Sequence, residues 1–207
     1  MTKTVLTGLG FSTYTRTVRM VLETKRVPYQ FEEADLGSPE HRQLHPFNRI
    51  PVLAHGDLRI FEALAICTYV DRAFPGPALQ PNSSVESAQM FQWISVVNDY
   101  IYESFVRQCI LERFLKPMRQ IEPDEEVIAA AKPTIKVGLS VFDNALRQKQ
   151  YLTGDDMSLA DFFLTPIIVY FQATPEGKEL LPQVPHLIAW QERMAKISNF
   201  AEINNLP

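Results

Sequence analysis

Residues 45–74, HPFNRIPVLAHGDLRIFEALAICTYVDRAF, constrain the fold of this chain more than any other stretch. They place an Ile50-Pro51 step directly before an apolar run, then the turn residues His55-Gly56-Asp57, a second apolar run, and an acid, Glu62, at the head of a helical repeat. An X-Pro bond is where a cis peptide is accessible, because its tertiary amide lowers the cis penalty to about 0.5–1 kcal/mol. A bend there leaves the backbone of Ile50 open to an extended, peptide-like ligand, in the manner of an exposed strand edge. Glu62 follows one hairpin later. Two recognition elements are therefore expected to face one small pocket.

The residues upstream fit a compact α/β unit. Residues 4–7 read as a short apolar strand, and the loop over 8–14 holds two glycines and two aliphatic hydroxyls. A helix follows over about 15–25, with Val18, Val21 and Leu22 at i, i+3 and i+4. Residues 29–34 read as a second strand, parallel to the first across this crossover. After a weakly helical piece at 39–44, residues 52–54 and 58–61 pair as a hairpin. Behind Glu62, the residues Ala63, Ile66, Cys67, Val70 and Phe74 recur at helical spacing. The order β-α-β, then β-β-α, with a proline before the third strand, is the thioredoxin-like arrangement, here over residues 1–76.

Prolines at 75, 77 and 81 break the helix and read as a linker. Beyond them strand signals nearly vanish. Periodic segments over about 84–114, 124–148, 158–172 and 185–197 predict an all-helical second unit, residues 83–207. The third segment opens on Ser158-Leu159-Ala160-Asp161, a capping box with Asp in the place of Glu, with Met157 set to staple against Phe162. The expected fold class is α/β plus all-α.

Composition narrows the function. The formal net charge is −4 and there are no blocks of Lys or Arg, so neither nucleic acid nor an anionic membrane is an expected partner. The longest apolar stretch, residues 162–171, is too short to span a bilayer. Met1 opens a polar start rather than a secretory signal, and a cytoplasmic protein is expected. The two cysteines, Cys67 and Cys109, form no CxxC and fall in helical segments, where they read as small buried hydrophobes.

With these residues in place, the chain resembles a cytosolic glutathione transferase from end to end. The likeness rests on the proline step, the Gly56-Asp57 hairpin, the helix start Phe61-Glu62-Ala63-Leu64-Ala65-Ile66, the proline linker and the SLAD box. The first loop, GLGFSTYTRTVRMVL, is similar to that of phi-class and related bacterial serine-type members, in which a serine precedes an arginine-valine helix start. The resemblance implies glutathione as co-substrate, a small hydrophobic electrophile as its partner, a detoxifying conjugation, a homodimer, and no metal. It assigns the catalytic hydroxyl to Ser12, with Thr13 and Tyr14 as alternatives. It assigns the cysteinyl contact to the backbone of Ile50 and the γ-glutamyl contact to Glu62 and Ala63. Arg49 stands where the family commonly has Gln or Lys against the tripeptide, and His41 and Arg42 where related proteins sometimes reach the glycyl carboxylate.

The chemistry asked of such a site is simple to state. A thiol of pKa about 8.5 is a few per cent ionised at neutral pH, and the thiolate is the nucleophile. Lowering that pKa by about two units takes about 2.7 kcal/mol of preferential stabilisation of the anion. One hydroxyl hydrogen bond and a helix N-terminus supply most of it. The co-substrate lining is expected from Phe11 and Tyr14 of the first loop with Tyr102, Phe105, Val106 and Cys109 of the helical unit; those helix residues suit an interhelical core equally well.

One departure from the family pattern stands out. Ala63 replaces the serine that grips the ligand's α-carboxylate, and a hydrogen bond to a charged group contributes roughly 1.5–3 kcal/mol. This makes a non-catalytic ligand-carrying or interaction protein of the same fold one rival; a glutathione-dependent peroxidase or isomerase using the same bound thiolate is a second. Other motifs fail. Gly8-x-Gly10 has Thr13 where a dinucleotide loop needs its third glycine, His41 and His45 lack a third clustered zinc ligand, and the first loop has no cysteine nucleophile.

Overall fold

The computed structural model describes residues 2–206. The chain divides into two compact units, Met1–Gln80 together with Ile197–Leu206, and Pro81–Lys196. The first is a four-stranded sheet with helices; the second is helical throughout.

In the first unit, β1 (Thr4–Gly8), α1 (Thr13–Thr24) and β2 (Gln30–Glu33) form the expected crossover, with β1 and β2 parallel and Val5 opposite Gln30. A short helix α2 (Pro39–Leu44) follows, capped by Ser38, whose side chain accepts from the His41 amide. β3 (Val52–His55) and β4 (Leu58–Phe61) then make the predicted hairpin. Its turn needs Gly56, which takes a φ of +60°, the left-handed first position of a two-residue hairpin loop. Strand order is β2-β1-β3-β4. The Ile50-Pro51 bond is cis. α3 (Ala63–Ala73) closes the motif.

The apolar positions of α1 and α3 explain why these helices form where they do. Val18, Val21 and Leu22 on one helix and Ile66, Cys67 and Val70 on the other are fully buried, with Leu6 and Leu53 of the sheet. α1 starts at Thr13, two residues before its apolar repeat suggests, because the Ser12 side chain accepts from the Thr15 amide at 3.4 Å and so caps the helix. The far ends of α1 and α3 are tied by Lys25, whose Nζ donates to Asp71 Oδ1 at 3.0 Å and to the Asp71 and Pro77 carbonyls at 2.9 and 3.0 Å.

The second unit begins with α4 (Ser84–Val96), capped by Ser83, which continues through Val97–Leu115 with π-type winding and ends in the short α5 (Lys116–Met118). α6 (Glu125–Leu146) is capped by Asp124 and buries Ile128, Ala131, Ile135, Gly138, Leu139, Phe142 and Leu146 along one face. At Gly138 a Cβ would stand 2.7 Å from Ile101 and 3.1 Å from Phe105, so a larger residue there would push on both side chains. α7 (Leu159–Ala173) is buried almost all round. The SLAD box forms, with Asp161 Oδ2 accepting from the Ser158 amide at 2.9 Å and Ser158 Oγ at 3.0 Å. Its other oxygen accepts from the Leu152 amide at 3.0 Å and Trp190 Nε1 at 2.8 Å. α8 (Pro175–Leu180) and α9 (Pro185–Met194) complete this unit. The segment after them, with α10 (Phe200–Ile203), packs with the first unit although chain order places it last.

Candidate functional site

Sheet register gathers three of the sequence-predicted elements at one end of the first unit. Thr7, near the end of β1, lies opposite Val52, the first residue of β3, and Val52 lies opposite Phe61, the last of β4. The loop leading to Ser12, the Ile50-Pro51 step and Glu62 therefore all emerge at the same end of the sheet. This juxtaposition belongs to the topology: two antiparallel pairings in a row turn three distant chain positions into neighbours.

Ser12 is half-buried and sits at the N-cap of α1. Its amide donates to the Leu9 carbonyl at 2.9 Å, which folds the loop back, and its Oγ accepts from Thr15 N. Because that bond uses a lone pair, the hydroxyl still has its own proton to donate. The helix N-terminus beneath it carries partial positive charge. Thr13 and Thr15 are buried, and the Thr13 carbonyl accepts from Thr17 Oγ1 at 3.1 Å. Phe11 is 42% exposed and Tyr14 half-buried.

Glu62 has a φ of +71°, uncommon for a side chain of its size, and precedes α3 without capping it through its side chain. Its carboxylate is exposed and Oε1 lies 3.8 Å from His45 Nε2. Ala63, the first residue of α3, is 7% exposed. Arg49 extends into solvent, while its carbonyl accepts from the buried His41 at 2.9 Å. A carbonyl can only accept, so His41 carries its proton on Nε2. Its Nδ1 is buried and has no hydrogen-bond partner among the described residues. His41 thus supports the backbone just before Ile50, and its ring is interior rather than surface.

His45 has a role that the sequence does not reveal. Its ring is buried and lies over Phe61 with centroids 4.6 Å apart. Nδ1 accepts from the Phe47 amide at 3.3 Å, so the proton resides on Nε2, facing Glu62. Burial holds the imidazole below the ordinary histidine pKa; Glu62 opposes this shift, and His41 and Arg49 add to it. At neutral pH the ring is uncharged, and its approach to Glu62 is polar rather than ionic. The spacing His41-x-x-x-His45 was visible in the sequence, but the two tautomers depend on the Arg49 carbonyl and the Phe47 amide.

The residues expected from the second unit take different places within it. Phe105 is fully buried, packed on Phe171 at 4.8 Å between ring centroids, and Val106 is 3% exposed. The Cys109 thiol lies 3.7 Å from Glu176 Oε2, and burial, with Glu176 beside it, pushes its pKa up to about 12. Those three side chains serve the interhelical core of their unit. Tyr102 is half-buried and stands under the Arg107 guanidinium at 5.6 Å. Cys67 is likewise buried and free, its thiol raised above the usual range by burial.

Comparison with known proteins identifies the family. Residues 6–78 match the family model "Glutathione S-transferase, N-terminal domain", and residues 103–197 match "Glutathione S-transferase, C-terminal domain". The probable glutathione S-transferase GSTF1 of Oryza sativa subsp. japonica is 32% identical over 203 residues, covering 94% of this chain and 92% of its own. The chain belongs to the glutathione S-transferase family. Glutathione S-transferase 1 of Zea mays is 32% identical over 79% of this chain and 76% of its own. Among solved structures, the apo form of glutathione S-transferase III superposes with a TM-score of 0.89 at 26% identity, covering 99% of this chain and 98% of that one. The glutathione-bound theta-class enzyme of Xanthomonas axonopodis pv. citri also gives a TM-score of 0.89, at 25% identity, covering 100% and 99%. The glutathione transferase fold anticipated from the sequence is the fold observed.

Proposed function

We propose that this protein is a glutathione transferase that ionises bound glutathione through Ser12 and adds the thiolate to small apolar electrophiles. The observation that carries this reading is the hydroxyl of Ser12 at the N-cap of α1, at the end of the sheet where Ile50 and Glu62 also emerge. A hydrogen bond to an anion contributes about 1.5–3 kcal/mol, and a helix N-terminus about 0.3–1 kcal/mol. Their sum approaches the roughly 2.7 kcal/mol that lowers a thiol by two pKa units.

In this mechanism Ile50 offers its backbone to the cysteinyl residue and Glu62 pairs with the ligand's α-ammonium. The Ala63 amide, at the head of α3, receives the α-carboxylate. Arg49, exposed beside them, is placed for a second carboxylate, which a guanidinium holds bidentately. The thiol proton leaves to solvent, and Ser12 Oγ–H donates to the sulfur. The sulfur lone pair then forms the S–C bond as the bond from carbon to its leaving group breaks. Phe11 and Tyr14 supply apolar surface on the electrophile's side. By analogy with its family we assign the protein a cytoplasmic location and a homodimeric form, the latter to be tested by sedimentation.

Ser12→Ala tests the assignment. The pKa of bound glutathione, read from thiolate absorbance against pH, is expected to rise by one to two units, with turnover of an activated aryl halide falling about ten- to a hundredfold. Glutathione affinity should move little, because the hydroxyl acts on the anion. An unchanged absorbance curve removes Ser12 from the mechanism. Absence of glutathione binding by calorimetry would instead favour the ligand-carrying reading, which Ala63 makes the specific rival.

A further inference from the structure

The loop that carries Ser12 is short, glycine-rich and on the unit's surface, yet the proposed chemistry requires the hydroxyl to be held in place. Backbone bonds supply part of the support: Ser12 N donates to Leu9 O, and Ala34 N donates to Gly8 O, each at 2.9 Å. Arg16 adds to it. Its side chain is 2% exposed, its Nε donates to the Gly10 carbonyl at 2.8 Å, and its Nη2 donates to the carbonyl of Asn205. A guanidinium is flat and its donors have a fixed angular relation. One buried plane therefore fixes the middle of the Ser12 loop relative to the C-terminal segment.

That segment is itself docked on α1. Ile203 is 1% exposed. Asn204 Nδ2 donates to Met20 Sδ at 3.5 Å, Arg19 pairs with Glu202 at 3.3 Å, and Asn199 donates to Glu23 at 2.9 Å. These contacts follow the exterior of α1 from Glu23 towards Arg16, and they end where the guanidinium reaches through to Gly10.

We infer that Arg16 is a positioning residue through which the docked C-terminal segment holds the Ser12 loop in its working geometry. This rests on the reading of Ser12 as the thiol partner. A buried arginine is costly to hold, since both its charge and its rotamer freedom oppose burial, and here its Nε and Nη2 donate to the Gly10 and Asn205 carbonyls. Loss of the segment removes the Asn205 contact, so the guanidinium holds Gly10, two residues before Ser12, less firmly. The thiolate contact is the first thing to suffer, because a hydrogen bond to sulfur is sensitive to angle. Ligand binding through Ile50 and Glu62 is untouched.

The test uses full-length protein with two variants that disturb the link from opposite ends. Arg16→Lys retains a charge but cannot span both carbonyls; Glu202→Lys with Ile203→Asn undocks the segment and leaves Arg16 intact. Each is expected to raise the pKa of bound glutathione by about half a unit to one unit, a three- to tenfold loss of thiolate at fixed pH, with the glutathione Kd within about twofold. Combining all three substitutions should add little further, since both routes remove the same support. Hydrogen exchange gives a readout independent of Ser12 chemistry: the Ser12 amide, bonded to Leu9, should exchange faster in both variants. If the segment exchanges freely while the Ser12 amide and the thiol pKa are unchanged, the inference is overturned. If exchange at Ser12 accelerates but neither these variants nor Ser12→Ala moves the thiol pKa, the coupling stands and it is the catalytic assignment of Ser12 that fails.

Discussion

Removing the ammonium of Lys25 should cost the protein more stability than any exposed ion pair is worth. Lys25 and Asp71 side chains are 3% and 5% exposed. Lys25→Met keeps the apolar stem and removes three donors at once, those to Asp71 Oδ1, Asp71 O and Pro77 O. Asp71 keeps two neutral partners, Leu79 N at 2.9 Å and Gln80 Nε2 at 3.0 Å, and is left as a buried charge without a counter-charge. Breaking a buried pair from one side costs about 3–5 kcal/mol, a large share of the 5–15 kcal/mol typical of a domain. At about 2–4 °C per kcal/mol for a chain of this size, melting should fall by roughly 6–20 °C. Asp71→Asn in the Lys25→Met background removes the stranded charge while an amide oxygen still accepts from Leu79, so about 1 kcal/mol or more should return. Urea denaturation followed by far-UV circular dichroism is the suitable assay, because both tryptophans, Trp93 and Trp190, lie in the second unit. A loss below about 1 kcal/mol for Lys25→Met, the range of surface pairs, would refute the view that this clasp holds α1 and α3 together at their far ends.

Two further outcomes are expected. His45 has its pKa lowered by burial, so the native state binds fewer protons than the unfolded one between that value and the ordinary pKa of about 6.5. Its contribution to stability is complete above about pH 6.5 and declines as pH falls through the folded value; His45→Asn, which can still accept from Phe47 N, should flatten melting temperature against pH across that window. Ala63→Ser should tighten glutathione binding by up to about 2 kcal/mol, the contribution of a charge-assisted hydrogen bond, and calorimetry showing no gain would place the α-carboxylate elsewhere.

How much of this was legible in the sequence depends on how far along the chain each feature reaches. Local rules sufficed for the elements: the alternation of Val52–His55 and Leu58–Phe61 about Gly56, the apolar repeat of α3, and the SLAD box at the head of α7 all depend on residues within a turn or two of each other. The proline step before β3 marked the cis bond for the same reason. The family resemblance then pointed to Ser12, Ile50 and Glu62, and the strand register sets them at one end of the sheet.

What the sequence could not decide were contacts between side chains far apart in the chain. Nothing at Phe105 or Cys109 distinguishes a helix residue facing a cleft from one packed on Phe171 or Glu176. The tautomers of His41 and His45 follow from a carbonyl and an amide that only the folded turn brings near. Arg16 reads as a helix arginine like any other until Asn205, 189 positions later, closes on it. Hydrophobic period and capping chemistry are written locally and so determine which elements form. Burial, protonation and the partner of a long cation are set by the space around a group, which exists only after the elements have packed.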